Sequence, residues 1–148
     1  MNVWVTALVL LLATSAQAAT QDRFVSKLKH PTGKSLVIAE GNFEARSIGS
    51  FSVRLYDAAE APDETTFFTS GLVRARDGVI EKVLLADVDG NQQQDIVVVV
   101  RSVGSGNYQS AHAFSIAGDD LALLTAVDGL AADADRVAAL QESTKHTE

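Results

Sequence analysis

The chain has 148 residues, of which 47% are hydrophobic, and it carries a formal net charge of −7 with no cysteine. This length suits one domain with a single core, and the acidic balance argues against nucleic acid or an anionic membrane surface as a partner. Without cysteine there is no disulfide and no thiol-linked lipid anchor at a cleavage site. We therefore expect the hydrophobic core alone to hold the domain together.

The first segment has the pattern of a secretory signal peptide. Residues 3–13 are apolar apart from Thr6, and the triplet AQA at residues 16–18 has the small-x-small form of a cleavage site. The apolar run is too short to span a bilayer comfortably, and the alternative is a buried N-terminal helix or strand. We expect a signal peptide over residues 1–18, cleavage after Ala18 or Ala19, and a mature domain over residues 19–148. The mature protein is then periplasmic, with no membrane anchor.

After this segment, short apolar or alternating stretches are separated by residues that favour turns, such as Asp77-Gly78 and Gly118-Asp119-Asp120. Their regular spacing predicts an all-β fold, an antiparallel β-sandwich or barrel-like single domain. The stretch DIVVVV is apolar on consecutive positions, which predicts a central strand covered on both faces. The predicted strands are Ser35–Gly41, Ser50–Ala58, Thr66–Ala75, Val79–Val88, Asp95–Val103, Ser110–Ala117 and Leu121–Val127.

Two stretches do not fit the strand pattern. Asp57–Phe67 is acidic and contains a proline, so we expect an exposed loop. The C-terminal stretch AADADRVAALQESTKHTE predicts a short helix capped by Asp133, with Val137 and Leu140 facing inward.

The residues around Ser105 give only weak support for a hydrolase. A nucleophile elbow has the pattern Gly-x-Ser-x-Gly between a strand and a helix, whereas here Gly104 and Gly106 directly flank the serine and another strand follows. His112 follows seven residues later, so a Ser–His pair is open on sequence grounds alone. A glycosidase would need two carboxylates across a cleft, and the sequence does not say which of its carboxylates meet. We predict no catalytic residues.

The stretch DVDGNQQQD partly matches a calcium-binding loop. Asp87, Asp89 and Asn91 have the spacing of the first three EF-hand ligands, but the sixth position lacks glycine and the twelfth, Val98, offers no side-chain ligand. One interpretation is a weak Ca²⁺ site that also uses Asp95. The other is a hairpin turn whose carboxylates accept hydrogen bonds from nearby backbone N–H groups. We favour the turn and predict no metal and no other cofactor.

The stretch after the central strand has the composition of a recognition loop. Gly104 and Gly106 allow backbone angles that lift a loop above a sheet, and Ser105 and Asn107 offer small polar groups. Tyr108 is a rigid amphipathic side chain of the kind enriched at binding hot spots. The competing interpretation is a plain glycine-rich hairpin with the tyrosine packed on the next strand.

At these residues the chain resembles the periplasmic inhibitors of invertebrate-type (i-type) lysozyme from Gram-negative bacteria. Bacterial lysozyme inhibitors share a short Ser-Gly-x-(x)-Tyr loop motif, which stands here as Ser105-Gly106-Asn107-Tyr108. EARSIGSFSVRLY at residues 44–56 and LADVDGNQQQDIVVVVRSVGSGNYQSAHAF at residues 85–114 resemble the i-type family further. The c-type inhibitors carry a second element, Tyr-x-x-x-Thr-Lys-Gly, and usually cysteines, and this sequence has neither.

The resemblance implies a β-sandwich, not an enzyme, that inserts this loop into the substrate groove of an i-type lysozyme. Ser105 and Tyr108 are then the predicted contacts with the active site, and Gly106 sets the shape of the loop. A homodimer is also compatible with the resemblance and with apolar strand edges. The alternative function is an envelope β-module that binds Ca²⁺ or carbohydrate.

Overall fold

The chain folds into two four-stranded antiparallel sheets in a computed structural model that describes residues 22–59 and 65–146. The strand order is β1-β2-β3-β4 in the first sheet and β5-β6-β7-β8 in the second. The all-β sandwich prediction is confirmed, and all seven predicted strands are present. The strands are β1 (Val25–Lys29), β2 (Ser35–Glu40), β3 (Ile48–Tyr56), β4 (Phe68–Asp77), β5 (Val79–Ala86), β6 (Asp95–Arg101), β7 (Gln109–Ala117) and β8 (Asp120–Leu130).

The structure adds one strand to the prediction, and parts of two predicted segments lie outside the described residues. Strand β1 is an eighth strand that the sequence pattern missed, because its five residues VSKLK contain two lysines that remain exposed. The predicted signal peptide lies outside the described residues, as do residues 60–64 of the predicted acidic loop. Residues 57–59 and 65–67, on either side of that gap, are in neither a helix nor a strand.

The main core lies between the two sheets and follows from the alternation of apolar residues along the strands. In β3, Phe51, Val53 and Leu55 are buried while Arg54 between them is exposed. The core also holds Leu36 and Ile38 of β2, Ile80 of β5, Phe114 of β7 and three residues of β6, Ile96, Val98 and Val100.

Strand β6 is buried on both faces, as its continuous apolar sequence predicted. Its alternate residues Val97 and Val99 belong to a second core on the other side of the sheet, where they pack with Leu140 of the C-terminal helix. Because β5 and β7 also flank β6 on either side, the strand has no free edge. This is a stiff base for the loop that leaves its end.

The C-terminal helix α1 (Arg136–Lys145) covers the outer face of the second sheet. Leu140 is fully buried as predicted, and Val137 is half-buried. The predicted cap at Asp133 is wrong, because the side chain of Asp135 accepts the hydrogen bond from Ala138 N at 3.0 Å. No helix in the described part of the chain is long and apolar enough to cross a membrane.

Three connections meet at one end of the sandwich, which we call the loop end. They are residues 41–47 between β2 and β3, Gly78 between β4 and β5, and residues 102–108 between β6 and β7. Gly78 N donates to Ser47 O at 2.8 Å, which joins the first two connections. A Cβ at Gly78 would lie 2.1 Å from Arg101 O and 2.9 Å from Ser102 Cα, so its backbone packs directly on the base of the third.

Candidate functional site

The predicted recognition loop is an exposed hairpin connection at the loop end. Residues 103–108 are all exposed, and the side chain of Tyr108 keeps 56% of its surface accessible. Ser102 N donates a hydrogen bond to Tyr108 O at 2.9 Å, which closes the loop at its base. More than half of Tyr108 is thus accessible to solvent, next to an exposed Ser105.

The shape of the loop depends on one of its two glycines. Gly106 has φ 113°, a conformation that residues with a side chain rarely adopt, and Asn107 follows with φ 52°. A Cβ at Gly106 would lie 2.8 Å from Cε2 of Tyr108, so the ring rests against the glycine backbone. A Cβ at Gly104, in contrast, would meet no atom closer than Ser102 Oγ at 3.8 Å. The prediction that the glycines shape the loop thus applies to Gly106.

Just below the tyrosine, a buried amide ties the loop to neighbouring elements. Gln109 is 4% exposed, and its Nε2 donates to Glu81 Oε2 of β5 at 2.7 Å. Its Oε1 accepts a hydrogen bond from Arg136 Nε of α1 at 2.5 Å. Glu81 also lies 3.8 Å from Arg101 Nε at the end of β6. We call Glu81, Gln109 and Arg136 the amide relay, and it holds the start of β7 from both sides.

The sequence alone does not reveal the amide relay, because its members are far apart in the chain and are ordinary surface residue types. Gln109 is separated from Glu81 by 28 positions and from Arg136 by 27. The one available signal was a glutamine at the buried end of a strand pattern, where an uncharged polar side chain needs hydrogen-bond partners.

The structure separates Ser105 from the histidine with which it could have formed a nucleophilic pair. Ser105 is in the exposed loop, whereas His112 is buried between the sheets, 5.3 Å from Phe51 between ring centroids. The hydroxyl near the imidazole belongs to Ser110, whose Oγ is 3.5 Å from Nε2. Burial, followed by the positive charge of Arg74, holds the pKa of His112 below its usual value of 6.5. A buried imidazole of this kind belongs to the core, so the structure gives no support to a pair of Ser105 and His112.

The acidic turn between β5 and β6 brings together carboxylates of Asp87, Asp89 and Asp95, with one oxygen of each within 4.8 Å of the others. These groups accept backbone hydrogen bonds, as the turn interpretation predicts. Asp87 accepts from Gly90 N at 2.8 Å, and Asp89 accepts from Asn91 N at 3.1 Å. Asp95 accepts from Val88 N at 2.8 Å. Burial raises the pKa of Asp95 above its usual range, and the neighbouring Asp89 and Asp87 act in the same direction.

The loop end therefore presents small polar groups and one phenol to solvent on a supported base. It presents a hydroxyl, an amide and a phenol on a short loop, and its base is held by β6, Gly78 and the amide relay. Hydroxyl and phenol groups can donate to carboxylates or carbonyl groups of a partner.

The chain is similar in sequence and in fold to known proteins. A family model described as "Periplasmic lysozyme inhibitor of I-type lysozyme" (PliI) matches residues 22–144. The crystal structure of PliI from Aeromonas hydrophila is similar with a TM-score of 0.75 and 39% identity, over 79% of this chain and 98% of that one. The same inhibitor in complex with Meretrix lusoria lysozyme is similar with a TM-score of 0.74 and 39% identity, over 80% of this chain and 95% of that one.

A comparison with curated proteins finds no match. The family match covers most of the chain. In the structural match, 39% of the residues are identical over nearly the whole length of the inhibitor. On this evidence the chain belongs to the family of periplasmic inhibitors of I-type lysozyme, whose members are inhibitor proteins and not enzymes.

Proposed function

We propose that this protein inhibits an i-type lysozyme by inserting the loop of residues 102–108 into the substrate groove of the enzyme. Ser105 and Tyr108 contact the catalytic region, and Gly106 keeps the loop in the shape that presents them. The observation that carries the proposal is the exposed Ser-Gly-Asn-Tyr loop on a rigid base in a chain of this inhibitor family.

The chemistry of a lysozyme groove fits the loop tip. Glycosidases of this kind hold two carboxyl groups on either side of the scissile bond. The hydroxyls of Ser105 and Tyr108 donate hydrogen bonds to those carboxyl groups in place of the sugar, so that neither partner is left buried and unpaired. The loop carries no sugar and no scissile bond, so it occupies the groove without being cleaved.

The rigidity of the base contributes to affinity. A loop that is already in its bound shape loses less conformational entropy when it is buried in a groove. Here the hydrogen bond from Ser102 N to Tyr108 O, the close approach of Gly78 and the amide relay restrict the loop before any partner arrives. The acidic balance of the chain favours encounter with a basic lysozyme, and this effect weakens as salt is added.

Alanine variants test the loop insertion directly. Ser105→Ala and Tyr108→Ala each weaken inhibition by about 1–4 kcal/mol if both residues are hot spots. Ser115→Ala, at the other end of β7, is the matched control and should inhibit as the unmodified protein does. If the double variant of Ser105 and Tyr108 inhibits undiminished, the loop does not enter the groove.

The class of lysozyme is tested by a turbidity assay on bacterial cell walls with i-type, c-type and g-type enzymes. Loss of i-type activity alone, at near-stoichiometric inhibitor, is the expected result. Equal inhibition of all three classes would contradict the selectivity that the family implies.

The proposal includes the location and state of the mature protein. A signal peptide over residues 1–18 is removed after Ala18 or Ala19, and the mature chain acts in the periplasm without a membrane anchor, alone or as a homodimer. N-terminal sequencing of periplasmic protein tests the cleavage, and analytical ultracentrifugation determines the number of copies.

A further inference from the structure

The outer face of the first sheet is open to solvent. In the described part of the chain the one helix, α1, packs on the second sheet and leaves the first sheet uncovered. Side chains that point outward from the first sheet stay accessible, since Val25 of β1 is 54% exposed and Val73 of β4 is 70% exposed. The fold therefore leaves a partly apolar surface on the side of the sandwich away from the helix.

Two aromatic side chains stand at one end of this face. The ring of Phe68 lies over the backbone of Gly71, where a Cβ would be 3.2 Å from Cε2 of the ring. The ring of Tyr56 meets the Phe68 ring edge to face, with 5.8 Å between centroids and 73° between planes. Phe68 is nevertheless 59% exposed, and we call these two aromatic residues the aromatic platform. An exposed ring held in one orientation suits the apolar face of a sugar ring.

A groove of about 280 Å³ crosses the same face next to the aromatic platform. Its lining includes three small side chains and two long basic ones: Ala39, Ser50, Ser52, Arg23 and Arg54. Arg54 is paired in register with Gly71, which places it beside the ring of Phe68. Its guanidinium is exposed and makes no hydrogen bond or ion pair with another described residue. The groove thus offers hydroxyl groups and a guanidinium at the edge of an aromatic surface.

The charge of this face is opposite to that of the whole chain. The net charge of the chain is −7, but the exposed charged residues of β1, β2 and β3 are all basic: Lys27, Lys29 and Arg54. The one carboxylate in these strands belongs to Glu40, which is 2% exposed and accepts a hydrogen bond from Arg46 Nη1 at 3.1 Å. A free guanidinium binds a carboxylate through two parallel hydrogen bonds. The face therefore suits a partner that carries carboxylate groups.

We propose that the outer face of the first sheet binds a glycan strand that carries carboxylate groups, namely the peptidoglycan of the bacterial cell wall. Its sugar rings stack on the aromatic platform, and Arg54 and Arg23 bind the carboxylates of its lactyl and peptide substituents. Members of a periplasmic family share a compartment with this polymer. A single strand fits a narrow groove, whereas an anionic bilayer would also face the acidic remainder of the chain and be repelled by it.

This inference goes beyond the proposed function and uses a different surface. Tyr56 is eight residues along β3 from Ile48 at the loop end, a separation of about 26 Å at the usual rise of a strand. The protein can then hold the wall polymer on the sheet while the recognition loop holds the lysozyme. Inhibitor bound in this way is concentrated on the substrate that the lysozyme attacks.

Co-sedimentation with purified peptidoglycan sacculi, without lysozyme, tests the proposal. The unmodified protein should sediment with the sacculi, and Phe68→Ala and Arg54→Gln should each weaken this binding by about fivefold or more. The binding should also weaken as salt is added. Phe43→Asn is the matched control, because it removes an exposed ring at the loop end and suits the φ of 62° at that residue. Melting temperatures measured by circular dichroism establish that each variant is folded.

The outcomes separate this proposal from its alternatives and from the loop insertion. The proposal is wrong if the unmodified protein does not bind sacculi, if both face variants bind as well as it does, or if it binds phosphatidylglycerol vesicles and not sacculi. Equal binding to chitin, a related glycan without carboxylates, would contradict the role of Arg54. Phe68→Ala should inhibit i-type lysozyme normally on a soluble oligosaccharide, whereas Tyr108→Ala should lose inhibition and still bind sacculi, so either proposal can fail alone.

Discussion

The substitution Gly106→Ala tests whether the shape of the recognition loop controls inhibition. Gly106 has φ 113°, where an alanine is strained by about 1–3 kcal/mol. The new Cβ would also lie 2.8 Å from Cε2 of Tyr108, so the ring must move if the backbone does not. Either response displaces the tyrosine or refolds the tip of the loop.

The free-energy cost of Gly106→Ala should appear as weaker inhibition more than as lower stability of the fold. The loop is exposed and closed by one backbone hydrogen bond, so it relaxes without unfolding the sandwich beneath it. To bind, the variant must restore the strained shape, and about 1–3 kcal/mol corresponds to roughly 5- to 140-fold weaker inhibition. The inhibition constant is measured by turbidity against i-type lysozyme, and the melting temperature by circular dichroism.

The same loop supplies its own control. A Cβ at Gly104 would have open space, with the nearest atom 3.8 Å away, and its φ is not positive. Gly104→Ala should therefore leave the free energy of unfolding within about 0.5 kcal/mol of the unmodified protein and weaken inhibition less than Gly106→Ala does. Equal effects of the two alanines, or full inhibition by Gly106→Ala, would refute the argument that the conformation at residue 106 presents Tyr108.

Three further predictions concern the support of the loop and the core. Gln109→Glu places a second carboxylate beside Glu81 at the 2.7 Å contact, so it should lower the free energy of unfolding by about 1–3 kcal/mol and weaken inhibition. Adding Glu81→Gln restores a donor–acceptor pair, and a double variant no more stable than the single one would contradict the amide relay. Gly78→Ala should lower the free energy of unfolding in urea by about 2–4 kcal/mol, because φ is 122° and the new Cβ would overlap Arg101 O, and an unchanged value would show that the connection can move. Because burial lowers the folded-state pKa of His112, the unfolded chain binds the proton more tightly, and the free energy of unfolding should fall as pH drops below about 6.5 towards 5. Urea unfolding of His112→Gln should lack this part of the pH dependence, and an identical pH dependence in both proteins would refute the prediction.

The sequence alone predicted the parts of this protein that depend on local patterns. The alternation in β3 predicts burial on one face, and the continuous apolar run of β6 predicts burial on both faces. Both follow from the order of residues within the strand, without knowledge of the neighbouring strands. Turn formers placed the boundaries between strands, and the Ser-Gly-Asn-Tyr stretch located the recognition loop. The helix was expected but its start was placed two residues early, because Asp133 and Asp135 are equally good caps until the preceding turn is known.

The tertiary structure decided what depends on register and on which elements meet. It placed Gln109 between residues of β5 and α1, and it placed the backbone of Gly78 against Arg101. It also showed that Phe43 stands wholly in solvent at a positive φ. These relations join residues far apart in sequence or depend on backbone angles that the side chain itself disfavours. Local propensity therefore carries no signal for them, and only the packing of the two sheets brings them to one end of the sandwich.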